Sequence, residues 1–199
     1  MKLATIIFAL IFAHSGATST FAQSAPPPPP SPAYFPESWK EFTYENDNVK
    51  IRFPKEPKIT AKPENAAGMK ARQYDHESFI RLNLSVVEAP ANSNFEEMMP
   101  ARDFLLRLRE GILEEIKQYN PQIIKEADTT VSGHEAKFLH VEGNHGEVLR
   151  AKFFVVKNRI YIAMAKVKKG QRHGSNYEND FEKVAMAFLD SVQLVAPKQ

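Results

Sequence analysis

The sequence predicts an α+β domain in which a mostly antiparallel β-sheet is flanked by two helices, and three observations carry that reading. Residues 148–156 and 160–167 are extended runs rich in β-branched and aromatic side chains, separated only by Lys157, Asn158 and Arg159. That spacing reads as a hairpin. With Asn158-Arg159 as its two-residue turn, Phe153, Val155, Ile162 and Met164 share one face, and Phe154, Val156, Tyr161 and Ala163 share the other. Both faces are apolar, so the hairpin belongs inside a sheet covered front and back. Second, Ile80, Leu82, Leu84 and Val86 alternate with period two, as a strand does. Third, Leu105, Leu108, Ile112 and Ile116, and later Tyr177, Phe181, Val184, Phe188 and Leu189, recur at helical spacing.

Taken from the N-terminus, Lys2 precedes an apolar run over residues 3–13, and Thr20 and Ala22 are small residues at the spacing a signal peptidase reads. Residues 1–22 are therefore expected to be an export signal cleaved after Ala22, with Ala25 as the second choice. An uncleaved anchor is the alternative, although the run is short for a membrane span. Residues 23–38 contain five consecutive prolines with Pro32 and Pro36 close by, which favours a stiff polyproline II spacer. A ligand for an SH3-like module is the alternative; the basic flank such ligands use is missing.

A single globular domain is expected over residues 39–199. Phe42, Tyr44, Val49, Ile51 and Phe53 form a hairpin turned at Asn46-Asp47-Asn48, and Pro54 and Pro57 end it. Residues 58–67 show little periodicity and read as an exposed loop. Residues 69–76 and 78–87 are an antiparallel pair with a tight turn near Glu77. Pro100 suits the first turn of a helix, which runs to about Tyr119, before Pro121. Strands 123–131 and 135–141, joined at Ser132-Gly133-His134, lead into the central hairpin and complete a four-strand meander. Ser175 and Glu178 offer a capping box for the second helix, and residues 192–195 a closing strand.

Composition excludes several classes of function. With 26 basic and 24 acidic residues the net charge is only +2 and no contiguous basic helix occurs, so no nucleic-acid partner is expected. Cysteine is absent, which removes lipoprotein-type lipidation, disulfides, thiolate zinc sites and thiol nucleophiles. An exported chain without disulfides fits a periplasmic or secreted protein. The sequon Asn83-Leu84-Ser85 lies within a predicted strand and reads as chance.

The turn at Gly133, the strand through Arg150-Ala151-Lys152, the segment Asn158-Arg159-Ile160-Tyr161 and the helix end Phe188-Leu189-Asp190-Ser191, with Phe53-Pro54 and Pro57 near the start, together resemble the PsbP-like family. The resemblance spans residues 42–195. It implies an antiparallel sheet sandwiched by helices, shared with the Ran-binding nucleotide-release factors. It also implies a non-catalytic role, since the photosynthetic members are extrinsic subunits that dock on a membrane complex and tune metal retention. No binding residue of those members maps onto a position here, and the proline-rich leader departs from their pattern.

Residue chemistry adds two candidate sites. His134, His140 and His145, with Glu142 and Glu147 close by, are metal-ligand types, but their spacing matches no standard motif; turn and surface histidines are the alternative. No cofactor is expected, and a divalent metal is the exception this cluster would supply. The densest basic run, Lys166, Lys168, Lys169, Arg172 and His173, is a candidate contact for an acidic partner protein or for anionic lipid headgroups; a solvated loop is the alternative. His134-Glu135 begins like a zincin motif but has Phe138 where the second histidine belongs. Asp75, His76, Glu77 and Ser78 put acid, base and hydroxyl side by side, but neighbours on a turn diverge. The expected role is therefore an adaptor or accessory subunit binding another cell-envelope protein, with a small-ligand or metal-binding module as the alternative.

Overall fold

The computed structural model describes residues 36–78, 80–144, 147–167 and 177–196, with side chains from residue 181 onward in the last stretch. Among these described residues ten strands occur: β1 (Lys40–Tyr44), β2 (Val49–Phe53), β3 (Lys58–Lys62), β4 (Lys70–His76), β5 (Arg81–Glu88), β6 (Gln122–Val131), β7 (His134–Glu142), β8 (Val148–Val156), β9 (Arg159–Val167) and β10 (Gln193–Leu194). Three described α-helices accompany them: α1 (Phe95–Met98), α2 (Ala101–Glu115) and α3 (Tyr177–Asp190). Strands β3-β4-β5-β9-β8-β7-β6 form a seven-stranded antiparallel sheet, and β1-β2-β10 a small second sheet.

The central hairpin lies in the middle of the large sheet, and side-chain alternation there builds two cores. On one face Phe153, Val155, Ile160, Ile162 and Met164 pack with Phe95 of α1 and Phe104, Leu105, Leu108 and Ile112 of α2. We call this the α2 face. On the other, Phe154, Tyr161, Ala163 and Ala165 pack with Val49, Ile51 and Phe53 of β2 and Phe181, Val184, Phe188 and Leu189 of α3; this is the α3 face. Phe153, Phe154 and Ile162 have no exposed surface. The predicted sandwich is thus present, with the small sheet sharing one layer with α3.

The hairpin turn lies one residue earlier than predicted. Val156 pairs with Arg159, which makes Lys157-Asn158 the turn, and Lys157 takes the left-handed conformation at φ 53. The β5–α1 connection pulls it there. The Asn158 carbonyl accepts from the Ala89 amide at 2.9 Å, the Lys157 carbonyl from the Phe95 amide at 2.8 Å, and the Asn158 side chain donates to the Ala89 carbonyl at 2.9 Å. Moving a turn by one residue slides the pairing by two, a full side-chain period, so the predicted faces survive.

Three other expectations need correction. Residues 58–62 form strand β3 on the edge of the sheet. An edge strand has little to bury, and with Ile59 itself 53% exposed the alternation is too faint to read. The connection after β4 is longer than a tight turn, because His76 pairs with Leu82 and Ile80 precedes the strand. Helix α2 ends at Glu115 and continues as a 3-10 turn over Lys117–Tyr119. One-turn α1 was not expected, although Asn94 and Glu97 carry its capping signature: the Asn94 side-chain oxygen accepts from the Glu96 amide at 3.1 Å, and its amide donates to Glu97 at 2.9 Å.

The first hairpin, the four-strand meander and the closing strand stand where the pattern puts them, with β10 pairing to β2. At the domain entrance Pro36–Ser38 make a 3-10 turn with Pro36 buried, and Arg52 donates to the Pro36 carbonyl. The predicted export signal, residues 23–35 of the predicted spacer, Ser175 of the capping box and the side chains of Tyr177 and Glu178 lie outside the described residues. Among the described residues no helix is long and apolar enough to cross a membrane.

Candidate functional site

The densest polar cluster on the α3 face is built around Asp47, a carboxylate with no exposed surface. The 3-10 turn Glu45–Asp47 between β1 and β2 closes on Asn48, left-handed at φ 52, and aims Asp47 at the large sheet. Residues Arg72 and Tyr74, two apart on β4, share a face and meet it there. Arg72 Nε donates to both carboxylate oxygens, at 2.7 and 2.9 Å, and its Nη2 and the Tyr74 hydroxyl donate as well. The Tyr161 hydroxyl donates to the Asp47 carbonyl at 2.9 Å. Around this lie Glu88, 3.5 Å from Arg72 and 2.8 Å from Arg159, and Tyr44, whose ring stacks on Tyr74 with centroids 3.9 Å apart.

The electrostatics keep this cluster closed. Burial pushes the Tyr44 and Tyr161 hydroxyls up to about 12, and burial and the neighbouring Asp47 carboxylate push Tyr74 up as well. The hydrogen bonds to Asp47 raise Arg72. All three phenols therefore stay protonated at neutral pH while two guanidiniums face two carboxylates. Both Asp47 oxygens are occupied by donors, so the group serves as a joint between the small sheet and β4 rather than as a base. Sequence reading took Asp47 only as a turn residue; the signal that could have found it is the Arg72-x-Tyr74 pair, polar residues on the inward face of a strand.

A second polar set clamps α3 to β8. Arg150 pairs with Glu182 and lies 5.2 Å from the centre of the Phe181 ring, while Lys152 pairs with Asp190. Its signal was also in the sequence, as two cations at alternate positions between apolar Val148 and Phe154. On the α2 face, Arg109 reaches Glu126 of β6 at 2.8 Å, and Lys137 meets Glu126 at 3.1 Å and Asp128 at 2.7 Å.

The predicted site residues stand as follows. His134 and His140 begin and nearly end the same strand, β7; six residues of strand place them about 20 Å apart. His145 lies outside the described residues, and among those described no group of three or more histidines and carboxylates could hold a metal ion. Burial and then neighbouring Arg150 lower the His140 pKa, while Glu142, at 3.5 Å, works against them. Lys166 is the penultimate residue of β9; Lys168, Lys169, Arg172 and His173 lie outside the described residues. Asp75 and His76 project to opposite faces as strand neighbours. Asp75 accepts from Arg81 at 3.1 Å and Asn83 at 2.9 Å, His76 is buried with its pKa lowered by burial, and Ser78 donates to the Ile80 carbonyl at 2.8 Å. These residues do not converge. Asn83 itself is 7% exposed.

A further surface feature among the described residues is the outer edge of β6. Ile124 is 53% and Ile123 39% exposed, at a register shift between Ile123 and Lys125. Cross-strand register also places Ile123 in one row with Val141, Leu149 and Lys166, so the start of the basic run and the exposed isoleucines occupy the same end of the sheet.

No protein-family model matches the sequence, and no curated protein matches it. Solved structures do match its shape. The solution structure of cyanobacterial PsbP from Synechocystis sp. PCC 6803 superposes with a TM-score of 0.51 at 11% identity, covering 79% of this chain and 92% of that one. The fold is PsbP-like. LpqN, involved in cell envelope biogenesis in Mycobacterium tuberculosis, aligns to the PsbP-like domain with a TM-score of 0.42 at 13% identity, covering 74% of this chain and 83% of that one. A Pseudomonas aeruginosa protein of unknown function gives 0.39 at 12% identity, covering 81% of this chain and 98% of that one. At such identities the likeness concerns the fold alone.

Proposed function

We propose that this PsbP-like domain is an exported, non-catalytic accessory subunit that binds another protein of the cell envelope. The observation that carries the reading is how the described polar groups are used. Asp47, Arg72, Tyr74, Lys152, Glu126 and Lys137 each spend their hydrogen bonds joining one element of the fold to another, and Arg150 is ion-paired with Glu182 of α3. They leave an exposed apolar edge at Ile123 and Ile124. Function then belongs to the outer surface. The leader and spacer expected over residues 1–38 would place the domain outside the cytoplasm, and the fold is one that the family resemblance associates with extrinsic subunits.

Lys166, Lys168, Lys169, Arg172 and His173 form the proposed electrostatic part of the contact. Cation density of this kind accelerates encounter with an acidic partner and is screened by salt. The test is chemical crosslinking in intact producing cells, followed by mass spectrometry of what is joined to the protein. A reproducible envelope protein linked at or beside residues 166–173 is the expected result. An abundant, folded sample without any specific link would overturn the reading.

A further inference from the structure

We draw no further inference here: the strongest candidate, the exposed apolar outer edge of β6 at Ile123 and Ile124, is the end of the seven-stranded sheet among the described residues, and nothing in the structure shows what covers it.

Discussion

Asp47 and Ile124 invert the usual distribution of side chains: a carboxylate has no exposed surface, while a large aliphatic residue is half in solvent. The carboxylate holds its place because Arg72 and Tyr74 satisfy both its oxygens. The aliphatic one lies on β6, beside which no further strand pairs among the described residues. The contrast separates a region whose chemistry is used up in assembling the fold from one that the fold leaves unfinished, and each region can be broken separately.

The largest effect is expected in the core that both regions lean on. Phe154→Ala removes a fully buried ring stacked on Tyr161 and should cost about 3–5 kcal/mol, read by urea denaturation. Asp47→Ala strands the Arg72 guanidinium and the Tyr74 hydroxyl. Because the Arg72 side chain is 29% exposed, we expect about 2–4 kcal/mol, below the full cost of breaking a buried pair. An Asp47→Ala variant as stable as the parent would contradict the joint between the two sheets. At the edge, Ile124→Asp should change stability by no more than about 0.5 kcal/mol while weakening partner recovery from cells.

The same contrast has a pH signature. Tyr44 and Tyr161 titrate near 12 in the folded domain, against an ordinary phenol near 10. Between those values the unfolded chain gives up protons that the folded chain keeps, so the stabilisation is intact below about pH 10 and is lost as pH rises toward 12. Thermal melts should decline over that window, less steeply in Tyr161→Phe. On the acid side, burial pulls Glu126 up, but Lys137 and Arg109 outweigh it and leave the pKa lowered. That contribution is present above the unfolded carboxylate value and disappears as pH falls through the folded one; Lys137→Met should flatten this limb. Smaller still, Lys168→Gln, Lys169→Gln and Arg172→Gln together should leave the melt unchanged and weaken only salt-dependent association, read as partner recovery at low ionic strength.

What was legible in the sequence follows from burial. The central hairpin, the meander and the stripes of α2 and α3 are periodic because their residues must face a core, and so they could be read directly. Strand β3 could not, since an edge strand with only Ile59 and Ala61 apolar carries almost no period. The turn at Lys157-Asn158 was missed because its position is set by Ala89 and Phe95, more than sixty residues away. The Asp47 cluster depends on a meeting of β2 with β4 that local spacing does not encode. The histidines show the converse: His134 and His140 are close in sequence, but an extended strand carries them apart.

The most direct test of the division between a used interior and an available edge is site-specific photocrosslinking in producing cells, with the photoreactive side chain placed at Ile124 in one strain and at Met98, exposed at 57%, in another. A discrete crosslinked envelope protein from Ile124, absent from Met98, is the predicted result. Equal products from both positions, or none from Ile124 with the protein folded and abundant, would contradict it.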